Sequence, residues 1–211
     1  MTRVDRRDAL KALAAVPLAA TITWTPGQEE RAASFIHSLD ASAQKGPVFF
    51  NAQEWRTIRV LVDDIIPKDG KSGSATDAKV PEFMDFILND GGPNPRTAMR
   101  GGLAWLDQES RKRFTKGYAD VAPDERNRIL DDIAWPPPHP RFKQEFRQNA
   151  TWFNSVRDLT ASGFFSSRTG LKDLGYTGNV AVAKWTGAPD AVLKKLGVSY
   201  EAWDKKYGSV K

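Results

Sequence analysis

Two histidines, a few paired carboxylates and no cysteine set the chemical repertoire of this 211-residue chain. His37 lies in a stretch of small polar residues and His139 in a proline run. Neither has a second ligand at the spacing a metal site requires, so both are expected to be exposed and without a chemical role. Paired carboxylates occur at Asp63-Asp64, Asp124-Glu125 and Asp131-Asp132. Neighbours on a helix point about 100° apart and do not face one another, so no pair converges on one reacting atom as acid and base. One of Asp63 and Asp64 is expected instead to cap or pair with the loop at Lys68–Lys71. The absence of cysteine excludes disulfides, thiolate nucleophiles, Cys-ligated iron–sulfur clusters and covalent c-type haem. The Gly-x-Ser-x-Gly nucleophile elbow, the Gly-x-Gly-x-x-Gly turn and the phosphate-cradling Gly-x-x-x-x-Gly-Lys-[Ser/Thr] loop are also missing. The chain therefore shows no active site and no cofactor-binding pattern of its own.

The elements that carry these residues read as helices throughout. Asn51 and Glu54 have capping-box spacing, and Trp55, Ile58, Leu61, Val62, Ile65 and Ile66 follow at helical period up to Pro67. Val80, Phe83, Met84, Ile87 and Leu88 form a second stripe, ended by Asn89–Pro93. Asn94-Pro95 opens a third helix with Met99, Leu103 and Leu106. Ser110 is placed to cap a fourth, carrying Phe114 and Tyr118. Pro123-Asp124-Glu125 starts a fifth, with Ile129, Leu130 and Ile133. Trp135–Pro140 is a stiff proline connector. A sixth helix is predicted from about Arg141 to Ala161, with Gly163 as its C-terminal cap. A Gly-rich, non-helical segment is expected near 163–188, and two short helices, Pro189–Leu196 and Ser199–Tyr207, finish the chain. The fold class is all-α: one irregular domain of about six to eight helices over 48–211, preceded by a linker at 26–47 with room for one short helix.

Seven tryptophans and eleven phenylalanines exceed what a helical core of this size needs. Aromatic residues are enriched at protein interfaces. Phe164, Phe165, Gly175, Tyr176, Gly178 and Asn179 lie in the predicted non-helical segment and are the candidate partner-facing residues.

Residues 1–25 read as an export signal. Arg3, Arg6, Arg7 and Lys11 form a basic start, and a mild, Ala-rich apolar run extends from Ala9 to about Trp24. It is too short and too weakly apolar for a membrane span, which needs about 20 apolar residues. Arg6, Arg7, Leu10 and Lys11 match the twin-arginine pattern, whereas Asp5 and Ala9 replace its usual hydroxyl and Phe residues. Leu18-Ala19-Ala20 is a partial cleavage pattern. The formal charge is +5. Four basic and two acidic residues fall within positions 1–20, which leaves +3 spread over a mixed surface. No nucleic-acid stripe is present.

A family resemblance rests on motifs in order. They are Trp55-x-x-Ile58-x-x-Leu61-x-x-Asp64-Ile65-Ile66-Pro67-x-Asp69, Ala75-x-x-Ala78-x-Val80-Pro81-x-Phe83-x-Asp85 and Gly102-Leu103-x-Trp105-Leu106-Asp107. Glu125-Arg126-x-x-Ile129-Leu130, Thr160-x-x-Gly163-Phe164-Phe165 and Leu174-Gly175-Tyr176-x-Gly178-Asn179 follow. Over about 48–180 this resembles the gluconate 2-dehydrogenase subunit 3 family, small subunits of membrane-bound sugar dehydrogenases. The resemblance implies a non-catalytic helical subunit without a cofactor of its own. Its expected partners are an FAD-containing catalytic subunit that oxidises a sugar or polyol, a multihaem cytochrome c subunit, and the twin-arginine translocase. The small subunit would carry its folded partner to the periplasm and stabilise it there, at the outer face of the inner membrane. A different reading is a stand-alone periplasmic carbohydrate-binding or scaffold protein.

Overall fold

The structure is a computed structural model that describes residues 22–39, 46–176, 178 and 187–208. The export-signal residues Arg6, Arg7, Leu10 and Lys11, and Asn179 of the candidate surface, lie outside the described residues. Among the described residues there are nine α-helices and no strand. The chain divides into two units, 1–176 and 177–211.

The first unit contains α1 (Pro26–Ser38), α2 (Ala52–Ile65), α3 (Val80–Asp90), α4 (Pro93–Phe114), α5 (Pro123–Ile133), α6 (Arg147–Phe165) and α7 (Arg168–Asp173). The long α6 is the axis of this unit: every other helix from α1 to α7 packs on it. Its buried face, Trp152, Phe153, Val156, Leu159 and Phe164, meets Phe83 and Met84 of α3, Leu103 and Leu106 of α4, and Ile129 and Ile133 of α5 in one core.

Local chemistry sets the helix ends. Asn51 accepts from the Glu54 amide at 2.9 Å while Glu54 accepts from the Asn51 amide at 2.9 Å, so the capping box seen in the sequence starts α2. The segment just before it is held by Asp85, whose carboxylate accepts from the amides of Val48, Phe49 and Phe50 at 2.8–3.1 Å. That buried side chain of α3 thereby fixes the entry of α2.

Several predicted boundaries move. The 26–47 stretch is more than a linker: α1 starts at an N-cap, Thr25, and buries Ala32 and Ile36. It runs antiparallel to α3, with Phe35 stacked on Phe86 at 5.0 Å and Arg31 paired to Asp90 at 2.6 Å. Ile22 and the partly buried Trp24 join the same core, so the folded domain begins before residue 26. The predicted third and fourth helices are one, α4. Ser110 has a capping residue's chemistry but is fully buried inside the helix, which ends where Thr115 turns left-handed (φ 65°). Tyr118 then sits in a 3-10 turn, Tyr118–Asp120. The sixth predicted helix starts six residues later, at Arg147, after a 3-10 turn at Gln144–Phe146.

The Gly-rich segment is helical in its first part. α6 continues to Phe165, and α7 spans Arg168–Asp173 behind a Ser167 cap. Gly163 does not end α6. A Cβ there would stand 2.8 Å from the Phe83 ring, so glycine serves close helix packing instead.

The second unit, taken by itself, contains α8 (Asp190–Leu196) and α9 (Tyr200–Tyr207). Gly197, left-handed at φ 66°, closes α8, and Ser199 caps α9 through the Ala202 amide at 3.2 Å. The Tyr200 hydroxyl accepts from the Ala188 amide at 2.7 Å and staples the turn before α8 to α9.

Candidate partner-facing surface

The polar clusters of the first unit serve as architecture. Asp64 accepts from Arg126 through two bonds, Nε at 2.7 Å and Nη2 at 3.0 Å, and from the Tyr118 hydroxyl at 2.7 Å. Arg126 Nη1 also donates to the Val121 carbonyl at 2.8 Å. This triad ties α2, the 3-10 turn and α5 together. Burial, and then the Asp64 charge, push the Tyr118 hydroxyl well above its ordinary value, so Tyr118 stays a neutral donor. The hydrogen bonds that Arg126 itself donates to Asp64 raise the Arg126 value, and the guanidinium remains charged.

Asp63 points elsewhere and accepts from the Thr76 amide at 2.8 Å and the Thr76 hydroxyl at 2.7 Å. The two neighbours diverge, as their spacing implies, and Asp63 holds the loop after α2, at Thr76 rather than at Lys68–Lys71. Asp107 on α4 accepts from the Tyr118 amide at 2.9 Å and from Gln53 Nε2 at 3.0 Å.

Asp132 joins two cations from different elements, Arg113 at 2.7 Å and Lys143. Burial acts to raise its pKa, but the bonds to Lys143 and Arg113 outweigh it, and the net shift is below the usual 3.8. A carboxylate whose folded-state value is lowered contributes stability above its unfolded value and loses it as pH falls through the lowered one. Asp132→Asn is therefore expected to cost on the order of 1 kcal/mol near neutral pH. The difference from wild type should shrink as pH drops below 3.8. Urea unfolding midpoints at neutral and acid pH measure both; a difference independent of pH removes the ionised Asp132 from the account.

An open groove of about 440 Å³ lies between the end of α3 and the start of α4, lined by Val48, Phe49, Arg96 and Arg100 among others. Its cations are committed within the chain. Arg96 Nε donates to the Leu88 carbonyl at 2.7 Å, and its Nη2 donates to the Asn89 carbonyl. Arg100 donates to the Phe49 carbonyl at 2.8 Å and lies 4.7 Å over the Phe49 ring. The groove thus fastens α4 to α3 and to the segment before α2.

The candidate interface residues separate. Phe164 is 2% exposed and belongs to the core, so it offers no partner surface. It sits on the inner face of α6, and only the expectation of a non-helical segment had put it outside. Phe165, the next residue, is 40% exposed with its ring edge-on to Phe164 at 5.2 Å. Tyr176 is 57% exposed. Gly175 (φ 66°) supplies the left-handed turn after α7, and Gly178 (φ 81°) is also left-handed. Leu174, 61% exposed in that turn, opens the last of the family motifs but was not among the candidate partner-facing residues, because an isolated Leu between turns has no periodicity to show which way it faces.

His37 Nε2 lies 2.9 Å from the Ser166 carbonyl, and His139 stacks on Trp135 at 4.3 Å. Among the described residues no three His, Cys, Asp or Glu side chains come together as a metal site. No helix among them is long and apolar enough to cross a membrane.

A family profile described as Gluconate 2-dehydrogenase subunit 3 matches residues 52–184. Comparisons with curated proteins and with solved structures give no match. The profile runs from the start of α2 through α7 and covers more than half of the chain. The helical body built on α6 is thus the family's domain, and the chain belongs to the gluconate 2-dehydrogenase subunit 3 family, a subunit of a dehydrogenase complex.

Proposed function

We propose that this chain is the non-catalytic small subunit of an exported, flavin-dependent sugar or polyol dehydrogenase, and that it carries its folded catalytic partner through the twin-arginine pathway and stabilises it afterwards. The observation that carries this reading is the family match over α2–α7. The Arg6-Arg7 pattern supports export. The exposed Phe165, Leu174 and Tyr176 support a protein-facing surface near the end of the first unit. FAD belongs to the partner, and haem c to a third subunit where one is present. The site of work is the periplasm, reached together with the partner.

The test is co-expression with the flavin subunit. Replacing Arg6 and Arg7 by Lys is expected to leave both chains in the cytoplasm and to abolish periplasmic dehydrogenase activity. Activity that persists in the periplasm despite the change would falsify the carrier role. Calorimetric binding of sugars by the isolated chain, without any flavoprotein co-purifying, would favour the stand-alone carbohydrate-binding reading instead.

A further inference from the structure

The folded body reaches back to the very edge of the export signal. Ile22 is 3% exposed in the core, Trp24 Nε1 donates to Glu29 at 3.3 Å, and Thr25 starts α1 with a capping box. α1 is then fastened along its length. Arg31 pairs with Asp90, Phe35 stacks on Phe86, and His37 Nε2 lies against the Ser166 carbonyl at the end of α6. Ile22, Ala32 and Ile36 are all core residues. A signal that is removed must therefore end before Ile22 if this core is to stay whole.

Small residues gather at two places where a signal could be cut. Ala41-Ser42-Ala43 has the full small-x-small pattern, whereas Leu18-Ala19-Ala20 has it only in part, with Leu18 in the outer small position. Both places lie outside the described residues, and the described helix between them decides. A cut after Ala43 would sever α1 from the body, and with it Ile22, Ala32, Ile36 and the ring stacked on Phe86. A cut after Ala20 takes nothing from the core, because Thr21 still separates the bond from Ile22. Burial and hydrogen bonding of the affected backbone, rather than motif alone, set where a chain tolerates truncation.

We propose that maturation hydrolyses the Ala20–Thr21 bond and passes over Ala41-Ser42-Ala43, although the second is the fuller motif. This inference rests on the export role proposed above. Water adds across one peptide bond: Ala20 leaves on the signal with a carboxyl group, and Thr21 becomes the amino terminus of the mature chain. The twin-arginine pair departs with the signal, and α1 stays as the first helix of the working protein.

The experiment co-expresses the full chain, tagged at its C-terminus, with the flavin subunit. The chain is purified from periplasmic and cytoplasmic fractions for intact mass and amino-terminal sequencing. The periplasmic form is expected to begin Thr21-Ile22-Thr23, shorter by residues 1–20 than the cytoplasmic precursor. Ala20→Phe, which puts a bulky side chain beside the bond, is expected to stop the cut. Ala43→Phe is expected to leave the new terminus at Thr21. A periplasmic chain that begins at Gln44, or that keeps residues 1–20, overturns the proposal and leaves the carrier role standing. Unchanged processing of the Ala20→Phe chain overturns it as well. A wild-type chain found only in the cytoplasm overturns the export role and the cut together.

Discussion

Alanine at position 102 is expected to lower the unfolding temperature of the domain by roughly 6–12 °C, whereas alanine at position 101 should raise it slightly. The two glycines are adjacent on α4 and differ only in what their missing side chains would meet. A Cβ on Gly102 would lie 1.9 Å from Trp152 Cε2 and 2.2 Å from Nε1, whereas nothing lies within 4 Å of one on Gly101. Trp152 is fully buried on α6 and cannot swing away without breaking the core. Overpacking of this kind costs about 3 kcal/mol, and each kcal/mol shifts the midpoint of a domain this size by about 2–4 °C. At position 101 only the helix propensity changes, which favours alanine by up to about 1 kcal/mol. Thermal melts of the two variants decide it. Combining Gly102→Ala with Trp152→Leu should recover part of the loss, because the smaller side chain vacates the contested space. Equal melting points for the two alanine variants would remove the Gly102–Trp152 contact as the cause.

Asp64→Ala is expected to cost about 3–5 kcal/mol, because it takes the carboxylate from the Tyr118 phenol and from a part-buried guanidinium that keeps its bond to the neutral Val121 carbonyl. Asp64 and Arg126 side chains are 10% and 14% exposed, so solvent replaces little of what is lost. Arg126→Met alone should cost a comparable amount by stranding Asp64. Changing both, Asp64→Leu with Arg126→Met, should cost far less than the sum of the single changes. Tyr118→Phe removes only one hydrogen bond to a charged acceptor and should cost about 1.5–3 kcal/mol. Urea titrations of the single and double variants give the coupling; additive values would mean that the pair is not a unit.

Much of this was legible in the sequence wherever a local rule decided the outcome. The α3 stripe at Val80, Phe83, Met84, Ile87 and Leu88 is buried as its spacing requires. The reciprocal Asn51–Glu54 cap is formed. Local rules misled where packing had the last word. Ser110 looks like a cap but lies inside α4, in the turn before its end, because that face is covered. Gly163 looks like a stop signal but gives Phe83 room to approach. Phe164 looked free to face a partner, but its helix continues past it. Asp64 and Arg126 stand 62 residues apart, and nothing in one sequence announces such a pairing. For the same reason the exposure of Leu174 and of the apolar residues of α8 and α9 is read from the structure alone. Of the candidate interface, Phe165 and Tyr176 keep the exposure that a partner surface requires.

The position of the last buried residues matters for the order in which the chain is made. Among the described residues of the first unit, Phe164, Ser167 and Gly170 are the last that are buried, and that unit ends at Tyr176. Because synthesis runs from the N-terminus and domains fold as units, every described core residue of the first unit has been made by the time synthesis passes Tyr176. The residues of α8 and α9 are made after them.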